Sequence, residues 1–427
     1  MPFVELGLSP GLARAAAALG LHPPTPVQSA AIPEILHGRD VLATARTGSG
    51  KTAAFLLPLL HQLGDEPTRT PRRTRVLVLV PTRELATQVG ETVRALLPAL
   101  PRRLKAAIVF GGVSINPQML RLRGGAEIVV ATPGRLLGLI DHHALALDGV
   151  ATLVLDEADR LLDLGFAEEL ARILALLPAR RQNLLFSATF PAAVQALAAP
   201  LLREPARIAI ADDAQAQPDI TQRAIVVDPP RRTQLLRHLI ATHGWDRALV
   251  FVATKYAAEQ VADKLRRTGL RAEPFHGQLS QGKRDQVLAD LKASRVQVVV
   301  STDLAGRGID IAQLPVVVNF DLPRSSTDHV HRIGRTGRAG ESGLAVSFVS
   351  PAQEAHFRLI EKRQGLPVPR EVIAGFEPQA LPPEATPSGL PTPAAPGSGG
   401  IKGRRPSKKD KLRAAAAAAA ANPEKQP

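Results

Sequence analysis

The chain has 427 residues, no cysteine, and 53 Lys+Arg against 39 Asp+Glu, a formal net charge of +14. With 45% hydrophobic residues it can bury ordinary cores over two to three domains of about 150 residues, so a wholly disordered chain is excluded. Without cysteine, a disulfide framework, a zinc-thiolate site and a cysteine nucleophile are excluded as well.

The N-terminus has Glu5 and no basic-then-apolar run, which predicts no signal peptide. No stretch approaches the roughly 18 apolar residues of a membrane span. A soluble, cytoplasmic, basic protein is expected. Its charge points to a polyanion such as nucleic acid, although an arginine bias of the whole genome would look the same.

In chain order, Phe3 comes first, then Gly20-Leu-His-Pro-Pro-Thr25-Pro-Val-Gln28. The apolar run 40–43 precedes Ala45-Arg46-Thr47-Gly48-Ser49-Gly50-Lys51-Thr52, and a helical stretch follows. Strand, glycine-rich turn and helix in that order are the context of a P-loop. Gly48 and Gly50 let the backbone curl so that amides face phosphate oxygens, and the helix start adds its positive end. Lys51 brings a compact charge to the β- and γ-phosphates, and Thr52 a hydroxyl for magnesium. The strict pattern opens on Gly, and Ala45 departs from it.

The runs 76–80, 107–110, 128–131, 153–155 and 183–186 lack polar alternation, which predicts parallel strands covered on both faces. Pro81-Thr82-Arg83-Glu84-Leu85, Gly111-Gly112 and Thr132-Pro133-Gly134-Arg135 are the corners after three of them. Such corners can offer amides and hydroxyls to a phosphodiester backbone, though each alone reads as a turn. The run 153–155 leads into Asp156-Glu157-Ala158-Asp159. This places carboxylates at the sheet edge where ligands bind in open α/β folds. Asp156 is the candidate magnesium ligand, and Glu157 the group that orients water. A solvated acidic helix start would share that composition. Ser187-Ala188-Thr189 also reads as a hydroxyl-capped helix start.

Residues 203–219 show little periodicity and are expected to be a linker, with a domain boundary near 210. The runs 248–252, 296–301, 316–320 and 344–349 then repeat the first pattern. The expected fold class is α/β: two tandem doubly wound parallel-sheet domains, 1–209 and 210–366. The second half carries His276-Gly277, Gln281, Arg284 and Ser301-Thr302-Asp303-Leu-Ala-Gly306-Arg307-Gly308-Ile309-Asp310. It ends in His331-Arg332-Ile-Gly334-Arg335-Thr-Gly337-Arg338. Guanidinium groups match phosphate oxygens bidentately, and arginines supplied from another domain stabilise charge in phosphoryl transfer. From 367 onward, 12 of the 37 prolines, a basic cluster from Lys402 to Arg413 and eight alanines at 414–421 predict a disordered Pro/Ala-rich tail. A tether for phosphates and a solubilising terminus both fit that tail.

In this order, over about residues 3–365, the motifs resemble those of a DEAD-box RNA helicase of superfamily two. The compact core and short basic tail look most like the bacterial RhlE-like subgroup. The resemblance implies two RecA-like domains, ATP hydrolysis with Mg2+, and structured or duplex RNA as partner with little sequence preference. It implies ATP contacts from Phe3, Gln28, the P-loop residues 45–52 and Asp310. It implies catalysis by Lys51, Asp156, Glu157, Arg335 and Arg338. Coupling falls to Asp159, Ser187, Thr189, His331 and Arg332, with Arg332 holding the interdomain network together. RNA contacts fall to Pro81, Thr82, Arg83, Gly112, Thr132, Pro133, Arg135, Thr302 and Arg307. Arg46, Leu21 and Gly306 depart from the family's usual Gln, aromatic and Ala. No membrane and no metal beyond magnesium with ATP are expected; ribosomal precursors or the RNA-decay machinery are candidate partners. Two alternatives stay open: an ATP-gated RNA clamp without useful turnover, and a DNA-acting helicase of the same superfamily. Spacing does not show recognition of a 2′-hydroxyl.

Overall fold

Apolar runs become strands buried on both faces. In the computed structural model, residues 2–45, 48–67, 70–210, 220–306, 314–337 and 342–379 are described. The first lobe has strands β1 (Val41–Thr44), β2 (Val76–Leu79), β3 (Ala106–Val109), β4 (Ile128–Ala131), β5 (Thr152–Leu155), β6 (Gln182–Ser187) and β7 (Ala206–Ala209). Along β2 the side chains alternate faces. Val76 and Val78 pack with Phe55, Leu56 and Leu85, while Leu77 and Leu79 pack with Leu136, Leu161 and Ile173. Helices therefore cover both faces, which explains why the run shows no polar alternation.

The second lobe has β8 (Ile220–Val226), β9 (Ala248–Val252), β10 (Ala272–Phe275), β11 (Val298–Thr302), β12 (Val316–Asn319), β13 (Gly343–Val349) and β14 (Arg370–Glu371). The strand orders are β3-β4-β2-β5-β6-β1-β7 and β10-β11-β9-β12-β13-β8-β14. Position for position they are the same order, and every pairing is parallel, as with Val78 between Val130 and Val154.

Two expectations change. The stretch 203–219 holds a strand: β7 pairs with β1, Ile208 opposite Ala43. Its register alternates buried and exposed, the pattern of an edge strand covered on one face. Residues 211–219 lie outside the described residues. Disorder also does not begin at 367. Val368 is buried, and β14 pairs with β8. Arg370 sits 4.7 Å over the Phe357 ring and pairs with Glu354 at 3.0 Å and Glu361 at 2.8 Å. Three anchors on the helix Glu354–Gln364 tie this segment down, and they offset its proline content. The basic cluster and the alanines lie outside the described residues.

Candidate ATP site and RNA track

The helix Lys51–Asp65 follows β1, with Gly50 as its N-cap at φ 90°. That left-handed backbone suits glycine, and a β-carbon there would collide with the Gln28 amide. Gln28 is itself buried: Oε1 accepts from the Thr25 amide at 3.0 Å, and Nε2 donates to the Gly50 carbonyl at 3.1 Å. Lys51 is 7% exposed, and its Nζ donates to the Ala45 carbonyl at 2.5 Å. Ser49 Oγ is buried without a partner. Arg46 and Thr47 lie outside the described residues. Phe3, expected to pack on the base, is instead 2% exposed in the core with Leu6, Leu8, Leu12 and Val27. The turns of residues 3–7 fold it inward, where burying the ring gains more than leaving it at the surface.

Asp156 directly follows β5 and is 2% exposed. Burial, then the neighbouring Glu157 charge, push its pKa up to about 7, and Lys51 opposes them. Its Oδ1 accepts from the Glu157 amide at 3.0 Å. Glu157 holds a left-handed conformation at φ 51° and ψ 53°, which costs about 1 kcal/mol or more for a residue with a β-carbon. The turn starts the helix Ala158–Asp163 at once and buries Asp159. Asp159 Oδ2 accepts from the Thr189 amide at 3.0 Å and from its hydroxyl at 2.8 Å. Ser187 Oγ accepts from the Asp159 amide at 3.3 Å and donates to the Thr189 carbonyl at 2.7 Å. The three first-lobe residues expected to serve coupling thus form one cluster. Thr52, on the first turn of the P-loop helix, is half-buried. A buried carboxylate, a nearby hydroxyl and an orphaned Ser49 Oγ are hard oxygen donors that fit magnesium bound together with substrate phosphates.

The corners after β2, β3 and β4 also come together. Thr82 Oγ1 caps the helix Arg83–Leu96 by accepting from the Leu85 amide at 3.2 Å. The Arg83 guanidinium lies against Gly112, where a β-carbon would collide with it. Thr132 Oγ1 accepts from the Gly111 amide at 3.4 Å, and Pro133 opens the helix Pro133–Asp141. Arg135 donates to the Val113 carbonyl at 2.6 Å and the Ser114 carbonyl at 3.4 Å. Pro81 is buried before the Thr82 cap.

In the second lobe, Thr302 ends β11. Arg332 grips Asp303 with two bonds of 2.5 and 2.7 Å, donates to Asn319 at 3.1 Å, and lies 5.1 Å over the Phe251 ring. All these partners belong to the second lobe, so Arg332 ties that lobe together internally, contrary to the expected interdomain role. Arg335 is buried, and its Nε donates to the His331 carbonyl at 3.2 Å. His331 Nδ1 is buried without a partner. Arg307, Asp310 and Arg338 lie outside the described residues.

Among the described residues, the ion pairs between the lobes are made by other side chains. Arg160 Nη1 lies 3.2 Å from Asp328, and Arg284 Nη2 lies 2.6 Å from Glu84; both pairs are largely buried. Burial raises the Glu84 pKa more than Arg284 lowers it. Glu84 and Arg284 stand within motifs that assign them no such role, and Arg160 and Asp328 stand outside the residues that the motifs single out. The available signal was position: Arg160 directly follows Asp159, and Asp328 lies three residues before His331.

Two family models match this chain, DEAD/DEAH box helicase over residues 25–197 and helicase conserved C-terminal domain over residues 231–340. A DEAD-box ATP-dependent RNA helicase CshA of Bacillus cereus is 39% identical over 360 residues, 84% of this chain and 67% of the relative. The chain belongs to the DEAD-box ATP-dependent RNA helicase family. The corresponding CshA of Bacillus anthracis shares the same identity and coverage. These DEAD-box relatives carry the CshA name, not that of the RhlE-like subgroup. Among solved structures, S. cerevisiae Dbp5 bound to RNA and ADP BeF3 superposes with a TM-score of 0.78 at 30% identity, covering 87% of this chain and 95% of Dbp5. Mss116p bound to ssRNA and AMP-PNP gives 0.78 at 27% identity, over 86% of this chain and 77% of Mss116p. The two lobes of this DEAD-box protein are therefore tandem RecA-like domains, and it is an ATP-hydrolysing RNA helicase.

Proposed function

We propose that ATP sits between the lobes, its phosphates on the P-loop and its far side under the arginines of the second lobe. The observation that carries this reading is the Arg160–Asp328 pair. It joins the helix that begins in the acidic motif to the helix Ser326–Ile333, which carries His331 and Arg332 and leads to Arg335. Lys51 leaves the Ala45 carbonyl to meet the β- and γ-phosphates. Glu157 orients the attacking water, and Arg335 and Arg338 stabilise the charge of the transferring phosphoryl group. Thr52 and Asp156 hold Mg2+, which when bound neutralises phosphate charge. Gln28 reads adenine while fastening the P-loop, and Asp310 meets the ribose.

RNA lies across Pro81, Thr82, Arg83, Gly112, Thr132, Pro133 and Arg135 on one lobe and Thr302 and Arg307 on the other. Contacts to the backbone alone give little sequence preference. RNA and ATP both favour the docked lobes, so each strengthens binding of the other. Asp159, Ser187 and Thr189 relay the state of the nucleotide to the docked surface. Local strand separation accompanies docking, and product release reopens the cleft. The domain boundary near 210, a cytoplasmic location, and ribosomal precursors or the RNA-decay machinery as partners complete the reading. No helix among the described residues is long and apolar enough to cross a membrane.

Parallel ATPase titrations with RNA and DNA oligonucleotides of one sequence test it. RNA-only stimulation is expected. Equal stimulation would favour a DNA-acting enzyme, and negligible turnover with saturating RNA a clamp.

A further inference from the structure

In a parallel sheet all strands run the same way, so the loops leading into them gather at one edge. The ATP and RNA motifs of the first lobe lie in loops that leave strands, at the carboxyl edge. The opposite, amino-terminal edge takes no part in them, yet arginine concentrates there. The loop into β2 carries Arg72, Arg73 and Arg75, the loop into β3 carries Arg102 and Arg103, and the loop into β6 carries Arg180. From β3 to β6 is four strand spacings, about 19 Å.

Two clefts open on this edge and share Arg72, Arg73 and Asp148. One of about 670 Å³ extends to Arg123, His142 and His143, and one of about 300 Å³ to Arg75, Arg102 and Arg180. Acids fix some of the guanidinium groups: Glu127 lies 3.2 Å from Arg72, Asp148 3.3 Å from Arg73, and Glu66 2.9 Å from Arg75. Carbonyls fix another, as Arg102 donates to Leu63 at 2.8 Å and Pro67 at 3.3 Å. Arg103, Arg123 and Arg180 are exposed, and among the described residues no carboxylate pairs with them. The edge therefore presents surplus positive charge beside held arginines. Guanidinium forks suit successive phosphates better than they suit dispersed carboxylates.

We propose that the amino-terminal edge of the first lobe is a second RNA-backbone site, outside the helicase cleft. It holds a neighbouring segment of a structured RNA while the cleft acts on one strand. The inference rests on RNA being the partner of the protein.

The test uses the full chain and the triple variant Arg103→Ser, Arg123→Ser, Arg180→Ser, none of whose side chains belongs to the catalytic or RNA-track residues between the lobes. Affinity is measured over a salt series for a long hairpin RNA with a single-stranded extension, and for an oligonucleotide too short to reach around the lobe. The triple variant is expected to bind the long RNA about 10-fold more weakly, with a log–log salt slope shallower by about 2. Short-RNA binding and short-RNA-stimulated kcat stay unchanged, and the three corresponding Arg→Lys changes restore most of the lost affinity. Unchanged long-RNA affinity and slope would overturn the proposal. So would loss of polyglutamate binding with long-RNA binding intact, which would give the edge to an acidic protein. If the parent protein shows no RNA-stimulated ATPase at all, the helicase reading fails instead, and the two failures are told apart.

Discussion

The two lobes share one strand order and almost nothing of their chemistry. In the first, the functional groups sit at helix starts and are held by short local bonds: Lys51 on the Ala45 carbonyl, and Asp159 on Thr189. In the second, Arg332 is locked into Asp303, Asn319 and the Phe251 ring, so the arginine segment is braced from within. Among the described residues, two buried ion pairs run between them. On the proposed reading, a repeated scaffold divides the reaction into a phosphate-binding half and a charge-supplying half, with activity arising where they dock.

The hardest way to break that division is to remove one group from each half. Arg335→Ala should lower kcat for RNA-stimulated hydrolysis about 1,000-fold, and Lys51→Ala at least about 100-fold. If either enzyme turns over near the parental rate, the site has been placed in the wrong residues.

Acid should distinguish the lobes next. His329 is buried in the second lobe between Phe357, Ser347 and Gln364. Burial, then Arg332, lower its pKa from 6.5 to about 4, with Glu361 opposing. The folded value lies below the unfolded one, so the stability it supports is complete above 6.5 and is lost as pH falls toward 4. Between pH 7.5 and 5 the second lobe should lose roughly 2 kcal/mol. Denaturant melts of the parent and His329→Asn, followed by pH, would show a smaller loss in the variant. An identical pH slope would remove His329 as the cause.

Docking offers a gentler cut. Arg284→Ala should weaken RNA binding in the presence of an ATP analogue about 10-fold, within the usual range of coupling energies, and leave nucleotide-free RNA binding alone. Exchanging the charges, Glu84→Arg with Arg284→Glu, should recover part of it. No recovery would mean that the pair serves only the fold of each lobe.

Gly306 gives the smallest effect. A β-carbon there would lie 2.5 Å from Phe251 Cε1 and 2.9 Å from Ser301 Oγ, in the brace under Arg332. Gly306→Ala, the commoner residue in the family, should cost about 1 kcal/mol of second-lobe stability by overpacking. A neutral or stabilising result in urea would show that the Phe251 ring yields freely.

Much of this was legible in the chain itself. The ten expected apolar runs come out as strands, and among the described residues the glycine turn before Lys51, the acidic turn and the contact of Thr189 with Asp159 come out as well; Ser187-Ala-Thr189 does not cap a helix, since the helix Ala192–Leu201 starts after Pro191. Each is a local pattern: a run buried on both faces, or a loop whose few residues must be glycine, hydroxyl or acid. The four strands that were passed over are β7, β8, β10 and β14. Three of them are edge strands, and β8 lies beside one; β10 even contains Pro274, which an edge tolerates. A strand with one open side needs no continuous apolar run, so its sequence carries little signal. The structured end of the second lobe was hidden for a related reason. Prolines and charges read as disorder until Arg370 is seen between two glutamates and an aromatic ring.

By itself, then, the sequence determined the α/β class and the order of the motifs, because each depends on neighbours in the chain. Only the tertiary structure decided that Phe3 is core, that Arg332 braces its own lobe, and that Arg160–Asp328 and Arg284–Glu84 join the halves. It also gathered the arginines of separate loops along one edge of the first sheet. These are meetings between residues tens to hundreds of positions apart, and the pairing partner of a charge is set by how the sheets stack, which no local pattern encodes.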